Sequence, residues 1–328
     1  MKRHVLSITL LILLAGLAGP AGLAACTPQS QATSQPQAAD TQSKLAVVAT
    51  TTIVGDVVAQ VGGEFIDLTI LLPVGASPHS FEPSPQDIAA VADAGLVFAN
   101  GAGLEAFLDT LIESAGSADK VVPVSQDVEL RSFTADEKDV DEHEDEGEEH
   151  DHAGSDPHTW TDPNNVMLWV ESIRSALAQA DPSHADGYAA NAAAYTARLQ
   201  DLDTWIREQV AQVPAENRKL VTDHTLLGYF ADEYGFTQVG ALISGYSDLA
   251  QPSAQELAQI EDAIHSLSVK AVFVGNTVNP ALSERVAQDT GVQLVFFYTG
   301  SLSEPDGDAP TYLDYMRYNV SVIVDALK

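Results

Sequence analysis

Three histidines occupy positions where a metal ligand would be expected. His79 lies in Pro73-Val-Gly-Ala-Ser-Pro-His-Ser-Phe-Glu-Pro83, directly after a strand-like run. His158 lies in Asp156-Pro-His-Thr-Trp-Thr-Asp-Pro163, directly before a helical stretch. His224 closes a short strand in Thr222-Asp-His-Thr225. Neutral imidazole is a good zinc ligand, and three of them leave one coordination position open. Prolines on either side of His79 and His158 restrict the backbone, which suits a preorganised site. Since imidazole must be neutral to ligate, metal affinity is expected to drop as pH falls through about 6.5. His184 and His265 read as surface residues. His143, His150 and His152 belong to residues 134–152, where eleven acidic residues stand against one lysine. That segment has no apolar face to bury and is expected to be an unpacked surface loop that holds further metal ions weakly.

The elements that must position these residues alternate between strand and helix. Apolar strand-like runs are expected at Leu45–Thr50, Ile66–Leu72, Leu96–Ala99 and Lys120–Val124, with helices at Ile53–Val61, Pro85–Ala94 and Leu104–Ser114 between them. The alternation restarts with strands at Lys219–Thr222, Phe236–Leu242, Lys270–Val274 and Val292–Phe297. Helices are expected there at Leu226–Tyr234, Ala254–Leu267, Pro280–Asp289 and Thr311–Leu327. Alternation of this kind predicts parallel sheets with helical crossovers. In such sheets ligands bind at the carboxyl ends of the strands, where His79 and His224 fall. Between the halves, Tyr188, Tyr195, Leu199, Leu202, Ile206, Val210 and Val213 recur at helical spacing. A helix of about 26 residues spans roughly 40 Å, so it would act as a rigid strut that permits only small lobe motion. The fold class expected is therefore α/β: two Rossmann-like lobes with parallel sheets, joined by one long rigid helix.

Composition narrows the partners. The 328 residues carry 15 Lys+Arg against 47 Asp+Glu, a net charge of −32, which argues against nucleic acid or anionic lipid as a partner. One cysteine excludes an intrachain disulfide and a Cys-based zinc motif. That cysteine is Cys26. It follows Lys2 and Arg3, an apolar run over 5–18, a Gly19-Pro20 break and Leu23-Ala24-Ala25. This reads as a signal peptide whose cleavage leaves a lipid-modified cysteine. Residues 27–43 are a Gln/Ser/Pro/Thr/Ala tether. The expected organisation is a signal peptide over 1–25, the lipidated cysteine and tether over 26–43, an N-terminal lobe over 44–181, a linking helix over 182–213 and a C-terminal lobe over 214–328.

Taken together, the cysteine motif, Gly75-Ala-Ser-Pro-His79-Ser-Phe-Glu-Pro83, the acidic His-rich segment, Asp156-Pro-His158-Thr-Trp160, Asp223-His224 and Thr311-Tyr312…Met316-Arg317-Tyr318-Asn319 resemble the zinc/manganese substrate-binding lipoproteins of bacterial ABC transporters. The resemblance covers nearly all of residues 44–328. It implies a non-enzymatic protein that holds a metal in the interlobe cleft and carries it, as Zn2+ cargo, to a membrane permease with its ATPase. It also implies a lipid anchor holding the body on the outer face of the cell membrane, toward a periplasm or the exterior. His79, His158 and His224 would be the ligands. The third position is usually Glu in manganese members, and His224 there favours zinc. A fourth ligand is commonly an Asp, at the position of Gly300 here, and Gly275 also replaces a common acid. The fourth position is then left to water, to Glu304, Asp306 or Asp308, or to a histidine of the acidic segment. Some members have been called adhesins, a role no feature here supports directly. Rival readings are the same fold carrying Mn2+ or Fe2+, or an exported zinc hydrolase using Glu82, Asp162 or Asp223 as base.

Overall fold

A computed structural model describes residues 44–132, 155–243 and 252–328. The expectations for Cys26 and the rest of 1–43, and for His143, His150 and His152, concern residues outside this set. Among the described residues no helix is long and apolar enough to cross a membrane.

The first sheet has the order β2-β1-β3-β4 and is parallel throughout, built from β1 (Leu45–Ala49), β2 (Ile66–Ile70), β3 (Leu96–Ala99) and β4 (Val121–Pro123). The second repeats that topology as β6-β5-β7-β8, from β5 (Lys219–His224), β6 (Thr237–Ile243), β7 (Ala271–Gly275) and β8 (Gln293–Phe297). In each, the chain starts at an inner strand, moves to one edge and then crosses to the other. Every strand of a sheet therefore presents its carboxyl end to the same rim. β5 runs two residues further than its apolar core suggests, because the Asp223 and His224 side chains are satisfied locally and pairing continues to Ile243.

Helix starts follow their caps. Thr51 caps α1 (Thr52–Gly62) by accepting from Val54 N. Ser84 and Asp87 form a reciprocal capping box at α2 (Pro85–Asp93). Asp162 caps α4 (Pro163–Ala180), with proline at its first position. α3 (Leu108–Ala115) starts four residues later than its apolar pattern indicates, because Gly101, Ala102 and Gly103 all take left-handed φ values of 77°, 55° and 80°. Like α3, α6 (Gly228–Tyr234) starts later than expected, here by two residues.

The long helix is α5 (Ala185–Val210), 26 residues, preceded by a 3-10 turn over Pro182–His184. Its buried face is the expected one: Tyr188, Tyr195, Leu199, Leu202, Ile206 and Val210 are all buried. It packs on α1, α4 and α9 (Tyr312–Leu327). The second lobe is completed by α7 (Ala254–Ser266) and α8 (Ala281–Thr290). One apolar core runs from Val47, Phe98 and Trp169 through the buried face of α5 to Phe273, Tyr312 and Leu327, so it belongs to both lobes. Polar bonds reinforce it across the cleft: Tyr312 N donates to Asp56 Oδ2 at 2.9 Å, Leu302 N to Thr52 Oγ1 at 2.9 Å and Gly75 N to Ser301 Oγ at 2.8 Å. His184, expected on the surface, is half-buried. Its ring stacks on Phe65 at 4.5 Å, and its Nδ1 lies 2.5 Å from Asp181 Oδ2.

Candidate metal centre

His79, His158 and His224 come together where the two lobes meet. Their candidate donor atoms all lie within 4.8 Å of one another, and no other residue with a ligating side chain joins them among the described residues. His79 Nε2 and His158 Nε2 are 3.3 Å apart. The three ring centroids are 5.4, 5.4 and 5.7 Å apart.

Two rings are held by carboxylates of their own lobe. Asp156 Oδ1 accepts from both the backbone N (2.9 Å) and Nδ1 (2.8 Å) of His158. Asp223 Oδ1 does the same for His224, from its backbone N at 2.6 Å and its Nδ1 at 2.5 Å. This network assigns the proton to Nδ1 and so puts the lone pair of each ring on Nε2, the arrangement that suits a metal-ligating imidazole. The remaining oxygen of Asp223 accepts from Gly275 N. Among the described residues, no such carboxylate holds His79. Its loop is fixed by His79 N donating to Ser77 Oγ at 3.2 Å, and its ring is half-buried where His158 and His224 are buried. Asp156 and Asp223 were visible in sequence as immediate neighbours of the histidines, but their orienting role follows only from these contacts.

The imidazoles line a narrow cleft together with Pro78, Trp160, Leu226, Thr277, Thr299 and Gly300. Trp160 meets His158 edge-on at 5.2 Å and is held from α9, its Nε1 donating to Tyr315 Oη at 3.1 Å. Tyr315 in turn donates to Thr299 O at 2.9 Å. Glu304, Asp306 and Asp308 are exposed and do not join the histidines. Neither glycine of the cleft could carry an acid without rearrangement. A Cβ on Gly275 would sit 2.4 Å from Thr299 Oγ1, and one on Gly300 would sit 2.9 Å from Pro78 Cδ. The proposed hydrolytic bases are also otherwise engaged. Glu82 is exposed. Asp162 caps α4, its pKa pushed up to about 6 by burial, and Asp223 is bound to His224.

Burial, followed by the neighbouring His158 and His224, pushes His79 down to about 2. Burial, then His224, lowers His158 well below its ordinary value. Both rings are therefore neutral in the folded chain well below pH 6.5, and the expected loss of affinity through 6.5 moves to lower pH. Unfolded histidines protonate near 6.5, so below that pH the unfolded chain binds protons that the folded chain does not. Stability is then fully present above about 6.5 and falls as pH drops below it. The urea midpoint of the metal-free chain should decrease from pH 7.5 to 5.5, and by less in a His79→Gln/His158→Gln variant. Equal decreases in both proteins would refute this origin.

The family model described as zinc-uptake complex component A, periplasmic, matches residues 47–326. The chain belongs to this family. Among its relatives, the manganese-binding lipoprotein MntA of Halalkalibacterium halodurans is 36% identical over 284 residues, 86% of this chain and 88% of that protein. The iron-binding protein YfeA of Yersinia pestis is 30% identical over 286 residues, 87% and 86% of the two chains. The solved structure of a manganese-bound periplasmic metal binding protein from Candidatus Liberibacter asiaticus superposes with a TM-score of 0.73 at 26% identity, covering 87% of this chain and all of that one. The zinc-uptake component A family consists of metal-binding components of ABC transporters and not of enzymes, so the hydrolase reading is set aside.

Proposed function

We propose that this chain captures one Zn2+ with His79, His158 and His224 and delivers it to the permease of an ABC transporter with its ATPase. The observation that carries the metal reading is the donor set: three buried or half-buried imidazoles and no carboxylate among the described residues. At zinc–imidazole bonds of about 2.0–2.1 Å, nitrogens 3.3 Å apart subtend about 107°, close to a tetrahedral angle. Nitrogen donors favour zinc over manganese by the general order of divalent affinities, whereas manganese prefers oxygen-rich sites. The names of the relatives support a second reading, in which the cargo is manganese or iron.

Competition calorimetry distinguishes the two. One tight zinc per chain, displaced by neither a hundredfold excess of manganese nor one of ferrous iron, supports the first reading. Displacement by either supports the second. A chain lacking residues 134–152 should keep the tight ion and lose only weaker ones.

The anchor is proposed on the motif that ends in Cys26. Export with cleavage before Cys26 and lipid on its sulfur would hold the body on the outer face of the membrane. Cys26→Ser should move the protein from the membrane fraction to the soluble one; a variant that stays membrane-bound and lipid-labelled would refute the assignment.

A further inference from the structure

The loop after β3 holds a conformation that needs an explanation. Three successive residues, Gly101, Ala102 and Gly103, take positive φ, and Ala102 does so against the steric preference of its Cβ. The group that holds them is Glu105, whose side chain is 7% exposed. Its Oε1 accepts from Thr50 Oγ1 and from Asn100 N, both at 2.7 Å, and its Oε2 accepts from Gly101 N at 3.1 Å. A buried carboxylate satisfied by three donors fixes the ends of β1 and β3 to each other.

The side chain this loop presents is Asn100, fully buried between the sheet rim and the metal centre. Its Nδ2 donates to Gly101 O at 2.8 Å and to Pro157 O at 3.0 Å. Pro157 is the residue before His158. On the other side of that histidine, Thr159 Oγ1 meets Ser125 Oγ at 2.8 Å, and Ser125 N donates to Asn100 O at 3.1 Å. Asn100 thus grips the peptide that leads into His158 and also the residue that steadies the peptide after it. Asp156 accepts from the His158 ring and from its backbone N, while Asn100 holds the carbonyl on the other side of that same peptide bond.

We propose that Glu105 is a positioning residue of the metal site. It fixes the left-handed loop that holds Asn100 against Pro157 O, and through that contact it holds the backbone of His158 at the distance the ion requires. The inference rests on His158 being a ligand. Partners one step removed from a metal ligand change affinity by about 10–100-fold when lost. A residue that only secured the fold would lower stability and leave the affinity of the still-folded chain unchanged.

The test uses Glu105→Gln, which keeps the shape but places an amide donor against backbone N–H groups, together with Asn100→Ala and the double variant. Zinc affinity is measured by competition with a chromophoric chelator at 25 °C, and metal-free stability by urea unfolding. Each single variant should bind zinc about tenfold or more weakly, and the double should lose little beyond Asn100→Ala, since both act through one contact. Affinity within twofold of the parent in either single variant overturns the proposal, as does full additivity in the double. His158→Ala separates the two levels. If it binds like the parent, the ligand assignment itself fails. If it loses binding while Glu105→Gln does not, only the positioning role fails. Should Glu105→Gln not fold, Asn100→Ala still decides, because unchanged affinity there leaves Glu105 nothing to act through.

Discussion

His158→Ala should reduce zinc affinity by about 10²–10⁴-fold. The estimate takes a third of the roughly 10–16 kcal/mol of a tight zinc site, or about 3–5 kcal/mol, as one ligand's share. A second cost follows from the contacts. Asp156 is fully buried, and it would keep the backbone N of residue 158 while losing the imidazole it now orients. An under-satisfied buried carboxylate costs about 1–3 kcal/mol, so the variant should also be less stable than the parent without metal. His79→Ala should lose binding with little stability cost, because its ring is half-buried and, among the described residues, has no carboxylate partner of its own. His184→Ala and His265→Ala should bind as the parent does. Isothermal titration of the parent and these four variants with zinc checks the set; parent-like binding in both cleft variants would place the site elsewhere.

Gly275→Asp should destabilise the chain by about 3 kcal/mol or more and loosen the metal site as well. Gly275 ends β7 and pairs with Phe297 of β8, so its backbone cannot withdraw. Its new Cβ would lie 2.4 Å from both Thr299 Oγ1 and Cγ2, on a β-branched side chain that is 1% exposed. Overpacking of this kind costs about 1–3 kcal/mol. The new carboxyl would also stand beside Asp223 Oδ2, 3.0 Å from the Cβ, in a site with almost no solvent. Two such carboxyls cannot both stay ionised without a further penalty. Asp223 would then hold His224 less well. Gly275→Ala carries the steric cost alone, so the difference between the two variants in urea midpoint isolates the charge. A Gly275→Asp protein as stable as the parent would contradict the packing described for this rim.

Much of this architecture is legible in sequence because it rests on local periodicity. The apolar runs of the eight strands and the 3-and-4 spacing from Tyr188 to Val210 each reflect burial of one face, which a residue pattern records directly. The three histidines stand out because proline and aspartate flank them at the ends of such runs. What stays hidden depends on contacts distant in sequence. Leu104–Phe107 has helical apolarity, yet it is held out of α3 by a carboxylate bound to Thr50 and Asn100. The downward shift of His79 arises first from burial in the folded cleft and then from two histidines 79 and 145 residues away in sequence, and no single-residue rule anticipates it. Gly275 and Gly300 look in sequence like lost ligands. In space they are positions where Thr299 and Pro78 have taken the volume a side chain would use.

The apolar core that passes from Val47 through α5 to Leu327 makes the two sheets a single cooperative unit. Amides deep in either sheet can then exchange with solvent only when the whole body opens, and their protection measures the global unfolding free energy. An ion bound by the folded chain alone adds to that free energy by mass action. A cation on the cleft rim should therefore slow deuterium uptake at Val47 and Phe273 alike, both of them in that shared core, although neither residue lines the cleft. In a cell, loss of the metal would leave the entire molecule, and not one lobe, more open to proteolysis.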